Sequence, residues 1–247
     1  MTDRTQGIPA PSMTADAVSL PDIVDADAWA IARDALLAEE KALTRARDAL
    51  AARRRRLPMT PVDGAYRFVG PEGETDLVGL FQGRRQLIVY HHMLRPADPA
   101  PCEGCSFFGD QIPDLAHLHA RDTTLVFVAA APIAEIEAYR RRMGWTFPFW
   151  ESRDGFTADM GVRGFGLNVF VRDGGTVYRT WSTGGRGVEM LGSAWAFLDL
   201  TPLGRQEAWE DSPDGRPRGA PYAWWRIHDS YGPVAEPDPP RAGLDAP

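Results

Sequence analysis

The two cysteines of the chain lie close together, at a spacing that suits redox chemistry. Cys102 and Cys105 are separated by Glu103 and Gly104, and the chain has no other cysteine. Two neighbouring thiols can reduce a disulfide because one thiolate attacks the substrate and the second thiol resolves the mixed disulfide. In a reducing cytosol such a pair is more often redox-active or metal-binding than a structural disulfide. Cys102 and Cys105 are therefore the candidate catalytic residues.

The sequence around the cysteines predicts a different role for each. An apolar run at 86–93 predicts a buried strand before the pair, and a helix bent at Pro113 is expected from about 105 to 119. A thiol at the start of a helix has a lowered pKa because free N–H groups and the helix dipole stabilise the thiolate. We therefore expect Cys102 to attack and Cys105 to resolve. The carboxylate of Glu103 is expected to oppose thiolate formation.

A metal-binding role is the alternative for the same residues. His91 and His92 end the predicted strand, and alternation sends their side chains to opposite faces. Two thiolates and one imidazole suit Cu(I) or Zn, so Cys102, Cys105 and His91 form the alternative ligand set. A histidine without ligand spacing is more often held by hydrogen bonds in the fold. No cofactor-binding motif is present, and we expect no cofactor.

Apolar residues repeat every seven positions near the start of the chain. Alanine and charged residues fill most of the intervening positions, which predicts an amphipathic helix over roughly 26 to 56 within an N-terminal segment at 23–58. Packing of this stripe on the main domain is favoured, and pairing with a second copy in a homo-oligomer is the alternative. The repeating residues are Trp29, Leu36, Leu43, Leu50 and Leu57.

The order of elements in residues 59–203 predicts an α/β domain with a thioredoxin-like central sheet flanked by helices. The strand before the cysteines and a second apolar strand at 123–130 enclose the cysteine helix, which implies a parallel pair. A helix opening at Pro132 and a hairpin around Arg172-Asp-Gly-Gly175 follow. The final helix is expected near 188–197.

Composition and charge limit the cellular compartment and the classes of partner that we expect. The formal net charge is −7, which argues against a general electrostatic attraction to nucleic acid or anionic lipid. The longest apolar run, at 125–134, is too short to span a membrane, and the N-terminus lacks a secretory signal pattern. We therefore expect a cytoplasmic protein. Segments 1–22 and 233–247 are predicted to be disordered, and 204–232 is predicted to be an irregular aromatic extension that packs on the domain.

Several stretches together resemble the bacterial domain-of-unknown-function family 899. The resemblance implies a fold related to thioredoxins and peroxiredoxins, with members often labelled dithiol–disulfide oxidoreductases. It makes Cys102 and Cys105 the redox pair and matches His91 to a strand histidine, whereas His92 stands where the family more often has an aromatic residue. Partners would be an unassigned thiol or disulfide substrate and an external reductant. The matching stretches are 86–93, 102–107, 119–150, 178–187, 190–205 and 224–231.

Thioredoxins proper carry a cis-proline just before the strand that faces the two cysteines. The corresponding segment here, 163–168, contains no proline. The resemblance therefore does not extend to the substrate groove that this proline shapes in thioredoxins.

Overall fold

An eight-stranded sheet forms the centre of the computed structural model, which describes residues 19–232. The predicted disordered tails lie outside these residues, apart from positions 19–22. The strands occur in the spatial order β1-β8-β7-β4-β5-β6-β2-β3. They are β1 (Thr60–Val62), β2 (Arg67–Gly70), β3 (Gly73–Asp76), β4 (Gln86–His91), β5 (Thr123–Ala129), β6 (Phe149–Ser152), β7 (Gly166–Asp173) and β8 (Thr176–Thr183).

The pairing at the centre of the sheet confirms the thioredoxin-like fold. β4 pairs in parallel with β5, and β5 pairs in parallel with β6. The β7–β8 hairpin joins the other side of β4 in the antiparallel sense. Because both faces of the central strands are covered, β4 and β5 are nearly continuous apolar runs. One cluster of buried side chains lies on each face, with Tyr90 in the first and Val89 in the second.

Helices cover the sheet, and two of the predicted helices are shorter than expected. The helices are α1 (Ala26–Arg54), α2 (Glu103–Gly109), α3 (Ala116–His119), α4 (Ile133–Arg142), α5 (Phe156–Asp159) and α6 (Ser193–Leu198). Short 3-10 helices occur at Gly79–Phe81, Gly185–Leu191 and His228–Ser230. Among the described residues, none of these helices combines the length and the apolar character needed to cross a bilayer.

The prediction of one bent helix from 105 to 119 is wrong, because α2 and α3 are separate. Pro113 lies between them, where it has no N–H to donate to the preceding turn. The predicted helix at 188–197 is also divided, by Gly192. A Cβ atom at Gly192 would lie 2.2 Å from the ring of Trp195, so close packing requires glycine there.

The N-terminal helix is confirmed, but the prediction that its stripe packs on the domain is wrong. Asp25 caps α1 by accepting the N–H of Ala28 at 2.8 Å. No residue of α1 is buried, and the five stripe residues are 47% to 62% exposed. Near the end of the helix, the guanidinium of Arg54 lies 4.5 Å from the ring centre of Trp181. The helix therefore contacts the domain without covering its own apolar face.

Candidate functional site

Cys102 caps the helix that follows β4. α2 begins at Glu103, and the Sγ atom of Cys102 accepts the backbone N–H of Cys105 at 3.4 Å. The carbonyl of Cys102 accepts two further bonds, from the N–H of Ser106 at 3.0 Å and from its hydroxyl at 2.8 Å. Ser106 is itself held by the hydroxyl of Tyr139 at 2.6 Å. The first turn of α2 is thus fixed by a local network that the sequence spacing makes possible.

The two thiols are free, and their exposure differs. Cys102 is half-buried, whereas Cys105 is buried. A sulfur that solvent can reach is able to meet a substrate, whereas a buried one reacts mainly with its neighbour. The structure therefore brings Cys102 and Cys105 together with the outer thiol at the helix N-terminus.

Hydrogen bonds lower the pKa of Cys102 to about 6. The largest cause is the side-chain hydrogen bond from Cys105, and the backbone N–H groups of Cys105 and Gly104 act in the same direction. Burial and the charge of Glu103 raise the pKa. Glu103 therefore raises the pKa of Cys102, as expected, but the hydrogen bonds that Cys102 accepts in the first turn of the helix lower it by more.

The pKa of Cys105 is raised, chiefly because its thiol donates a hydrogen bond to the Cys102 sulfur and because it is buried. The backbone N–H of Met93 and the hydroxyl of Tyr90 donate to its sulfur and oppose that rise. Tyr90 is itself buried and stacks on Phe108, with ring centres 4.4 Å apart. These opposite shifts in pKa favour the thiolate form at Cys102 and the protonated form at Cys105.

Alkylation by iodoacetamide is expected to follow the ionisation of Cys102. Because the thiolate is the nucleophile, the rate should rise about tenfold per pH unit below pH 6 and level off above it. Peptide mass spectrometry should place the label on Cys102, and a Cys102→Ser protein should lose this reaction. A midpoint near pH 9, the ordinary value for a thiol, would contradict the hydrogen bonding described here.

The hydrogen bonds of the two strand histidines go to groups other than the sulfurs. His91 faces the second core cluster, where its Nδ1 lies 2.9 Å from Thr157 Oγ1 and its Nε2 lies 3.1 Å from Asn168 Nδ2. Burial lowers the pKa of His91 to about 4. His92 lies on the opposite side, between aromatic rings, and its Nδ1 accepts the N–H of Leu94 at 3.0 Å.

The alternative ligand set of Cys102, Cys105 and His91 is not brought together. His91 and Cys105 belong to opposite faces of the sheet, because Tyr90 faces Cys105 and side chains alternate along β4. In residues 19–232, no group of three or more His, Cys, Asp or Glu side chains is placed to hold a metal ion. Of the two histidines, His92 rather than His91 shares a face with the thiols.

The C-terminal aromatic extension, predicted to pack on the domain, covers the first turn of α2, a position that the sequence did not indicate. The ring of Trp225 lies against Gly104, where an added Cβ atom would be only 2.8 Å from its Cζ3 atom. Trp225 also stacks on Phe107, with ring centres 5.5 Å apart and planes within 5°. The next residue, Arg226, brings its guanidinium to 4.0 Å from the carboxylate of Glu103. Glycine at position 104 and the aromatic cluster were visible in the sequence, but nothing linked them.

An ion pair and a histidine–carboxylate contact hold this segment against the helices beside the site. The guanidinium of Arg142 binds Asp229 through two bonds of 2.8 Å, which lowers the pKa of Asp229 to about 2. The Nδ1 atom of His228 lies 2.8 Å from a carboxylate oxygen of Asp110, which also accepts the indole N–H of Trp145. The segment at 222–231 is therefore joined to the ends of both α2 and α4.

A buried carboxylate organises the same segment from inside. Glu207 is 1% exposed and accepts three N–H groups. Its donors are the backbone N–H of Tyr222 at 2.8 Å, the indole of Trp224 at 2.8 Å and the indole of Trp209. These bonds fix the turn that presents Trp225 to α2.

Solved structures similar to this chain include thioredoxin-fold proteins of several kinds. A thioredoxin peroxidase I from Plasmodium yoelii is 13% identical, with a TM-score of 0.35 over 55% of this chain and 83% of that one. An electron transfer protein from Aquifex aeolicus is 13% identical, with a TM-score of 0.37 over 61% and 96%. The apo Sco1 protein of Thermus thermophilus is 14% identical, with a TM-score of 0.31 over 51% and 84%. Likenesses of this size support no assignment of activity.

No curated protein matches the chain. One family model does, and it covers residues 18–231, which include every element of the sheet and both cysteines. All eight strands, the helix capped by Cys102 and the aromatic C-terminal segment fall within that match. The chain therefore belongs to the family described as bacterial protein of unknown function, DUF899.

Proposed function

We propose that this protein is a thiol–disulfide oxidoreductase in which Cys102 attacks and Cys105 resolves. One observation carries the proposal: the Cys102 sulfur caps α2 and accepts a helix N–H group, with a second thiol one turn away. This arrangement favours a thiolate at the accessible position and a thiol at the buried one. Those are the two states that an attacking and a resolving cysteine need.

The proposed reaction transfers two electrons from the dithiol to a substrate disulfide. The Cys102 thiolate forms a bond to one substrate sulfur, and the other substrate sulfur leaves as a thiolate. Cys105 then loses its proton and attacks the Cys102 sulfur, which releases the second substrate thiolate and leaves a Cys102–Cys105 disulfide. An external dithiol reductant restores both thiols by supplying two electrons and two protons.

The chain's own residues favour the second step. Tyr90 and Met93 donate hydrogen bonds to the Cys105 sulfur, and such bonds stabilise the thiolate that resolution requires. The covering segment around Trp225 and the absence of proline before β7 both argue for a restricted substrate. We therefore propose a disulfide substrate that enters beside Trp225 rather than along a thioredoxin-type groove.

The proposal is tested by insulin reduction with dithiothreitol as the external reductant. The wild-type protein should accelerate the reaction, and Cys102→Ser should return it to the rate of dithiothreitol alone, because no thiolate remains to attack. Glu72→Gln, in the exposed turn between β2 and β3, is the matched control and should retain full activity. Equal rates for wild type and Cys102→Ser would reject the function.

We also propose a cytoplasmic setting, since a reduced dithiol needs a reducing compartment. Fractionation of the source bacterium should recover the protein with cytoplasmic markers and with both thiols free. Recovery from the periplasm with an oxidised pair would contradict this setting.

A further inference from the structure

Four large apolar side chains of α1 are exposed to solvent along one face, and Leu57, just beyond the end of the helix, continues the same spacing. The repeat extends over four intervals of seven residues, from Trp29 to Leu57. Apolar positions sustained over three to four such repeats are typical of helices that pair with another helix. In the part of the chain that the structure describes, no residue covers this face.

The charges of α1 and of the residues that adjoin its two ends, from 22 to 56, are divided between an acidic first half and a basic second half. Residues 22–40 contain six carboxylates and one arginine, so their formal charge is −5. Residues 41–56 contain seven basic residues and one aspartate, so their formal charge is +6. Arg33 and Glu40 are bridged at 2.8 Å within the helix. None of the other charged residues of α1 forms an ion pair with a described residue, so both halves carry unneutralised charge.

We propose that α1 pairs with α1 of a second copy of this chain, in the antiparallel orientation. A two-fold axis at Leu43 then sets Leu36 against Leu50 and brings Trp29 to the C-terminal end of the partner helix. The same axis lays the acidic half of each helix on the basic half of its partner. A self-complementary surface of this kind is what a symmetric dimer requires.

Charge also excludes the parallel arrangement of the same stripe. A parallel pair would set acidic residues against acidic residues and the Arg53–Arg56 run against its own copy. Charges beside an apolar seam determine the orientation of paired helices. A helix of 29 residues is about 43 Å long, which gives the seam the length of a stable helix pair.

Small residues flank the stripe and permit close approach. An alanine precedes each of the first four stripe residues, at positions 28, 35, 42 and 49. Helix axes approach to about 8–10 Å, and the smaller spacing needs small side chains at the contact. The repeat of alanine next to a large apolar residue therefore fits a second helix better than it fits open solvent.

Sedimentation of the full-length protein tests the pairing. We expect twice the mass of the chain at micromolar concentration, and a dissociation constant at least about a hundredfold higher in Leu43→Glu, because that change buries two carboxylates at the axis. Ile31→Glu is the matched control, since Ile31 is 74% exposed on the same helix but off the stripe. A wild-type monomer at all concentrations, or a dimer that Leu43→Glu leaves intact, would overturn the proposal.

Salt and cross-linking test the orientation. In an antiparallel pair the opposite charges attract, so raising the salt should weaken the dimer, whereas a parallel pair would tighten as its repulsion is screened. With Cys102 and Cys105 both changed to serine, Leu36→Cys and Leu50→Cys proteins should form a disulfide when mixed, because both positions lie within α1. Leu36→Cys should not cross-link to itself, and Leu43→Cys should. Self-linking at position 36 would overturn the antiparallel assignment.

Discussion

A Cys105→Ser protein is expected to stop after the first half of the reaction, with a substrate sulfur bound to Cys102. The serine hydroxyl can still donate a hydrogen bond to the Cys102 sulfur, so the attacking thiolate remains stabilised. Serine cannot resolve the mixed disulfide, because an alcohol is not ionised at neutral pH. The variant should therefore accumulate the intermediate that the wild-type protein consumes.

The chromogenic disulfide 5,5′-dithiobis(2-nitrobenzoate) measures this difference by stoichiometry. Wild-type protein should release two coloured thiolates per chain, Cys105→Ser should release one, and Cys102→Ser should release none in the fast phase. Intact mass should show one adduct, on Cys102, in Cys105→Ser. Two thiolates from Cys105→Ser would mean that another group resolves the intermediate and would remove Cys105 from its role.

Cys105→Ala separates the two effects of Cys105. Alanine removes both the resolving sulfur and the hydrogen bond to Cys102, so the pKa of Cys102 should rise toward its ordinary value. The variant should still release one thiolate, but at neutral pH it should do so more slowly than Cys105→Ser. Equal rates for the serine and alanine variants would show that the side-chain hydrogen bond does not activate Cys102.

Glu207→Ala is expected to release the C-terminal segment from the dithiol helix. The carboxylate is buried and accepts three N–H groups, each of which would lose its partner. Hydrogen bonds to a charged group contribute about 1.5–3 kcal/mol each, so the loss should exceed about 3 kcal/mol. Trp225 should then leave Gly104, and alkylation of Cys102 should become severalfold faster at the same pH.

Urea unfolding and the alkylation rate measure the two consequences separately. Glu207→Gln should be intermediate, because its amide oxygen can accept some of the bonds while its NH2 group opposes an indole donor. Glu72→Ala removes a carboxylate from an exposed turn and should change neither quantity. If Glu207→Ala lowers stability but leaves Cys102 alkylation unchanged, the segment does not control access to the thiol.

The sequence predicted those features of the candidate site that depend on residues close together in the chain. Cys102 and Cys105 lie within one turn of each other, so a helix start after a strand is enough to differentiate them. The opposite faces of His91 and His92 follow from alternation along a strand. Alternation does not tell which of the two faces also carries the thiols, because that depends on the side of the sheet on which α2 lies. His91 matches a histidine of the family, but it lies on the face of the sheet opposite to the sulfurs.

The apolar stripe that repeats every seven residues also has properties that the sequence predicts and properties that only the tertiary structure determines. Periodicity in the sequence establishes α1 and its apolar face, since both are properties of a single helix. Whether that face is covered depends on the path of the chain at both ends of the helix, and in the structure it remains exposed. The division of charge along α1 becomes informative only once the face is known to be open.

By itself, the sequence determined the dithiol, the two buried strands that enclose its helix, and the long first helix, because each depends on neighbouring residues and on hydrophobic period. The tertiary structure alone decided that Trp225 lies on Gly104 and that Glu207 holds the segment there. Those contacts join residues far apart in the chain, and such pairs leave no periodic signal. The packing of these residue pairs depends on the arrangement of the whole sheet and its helices. The access of a substrate to Cys102 depends on the same arrangement.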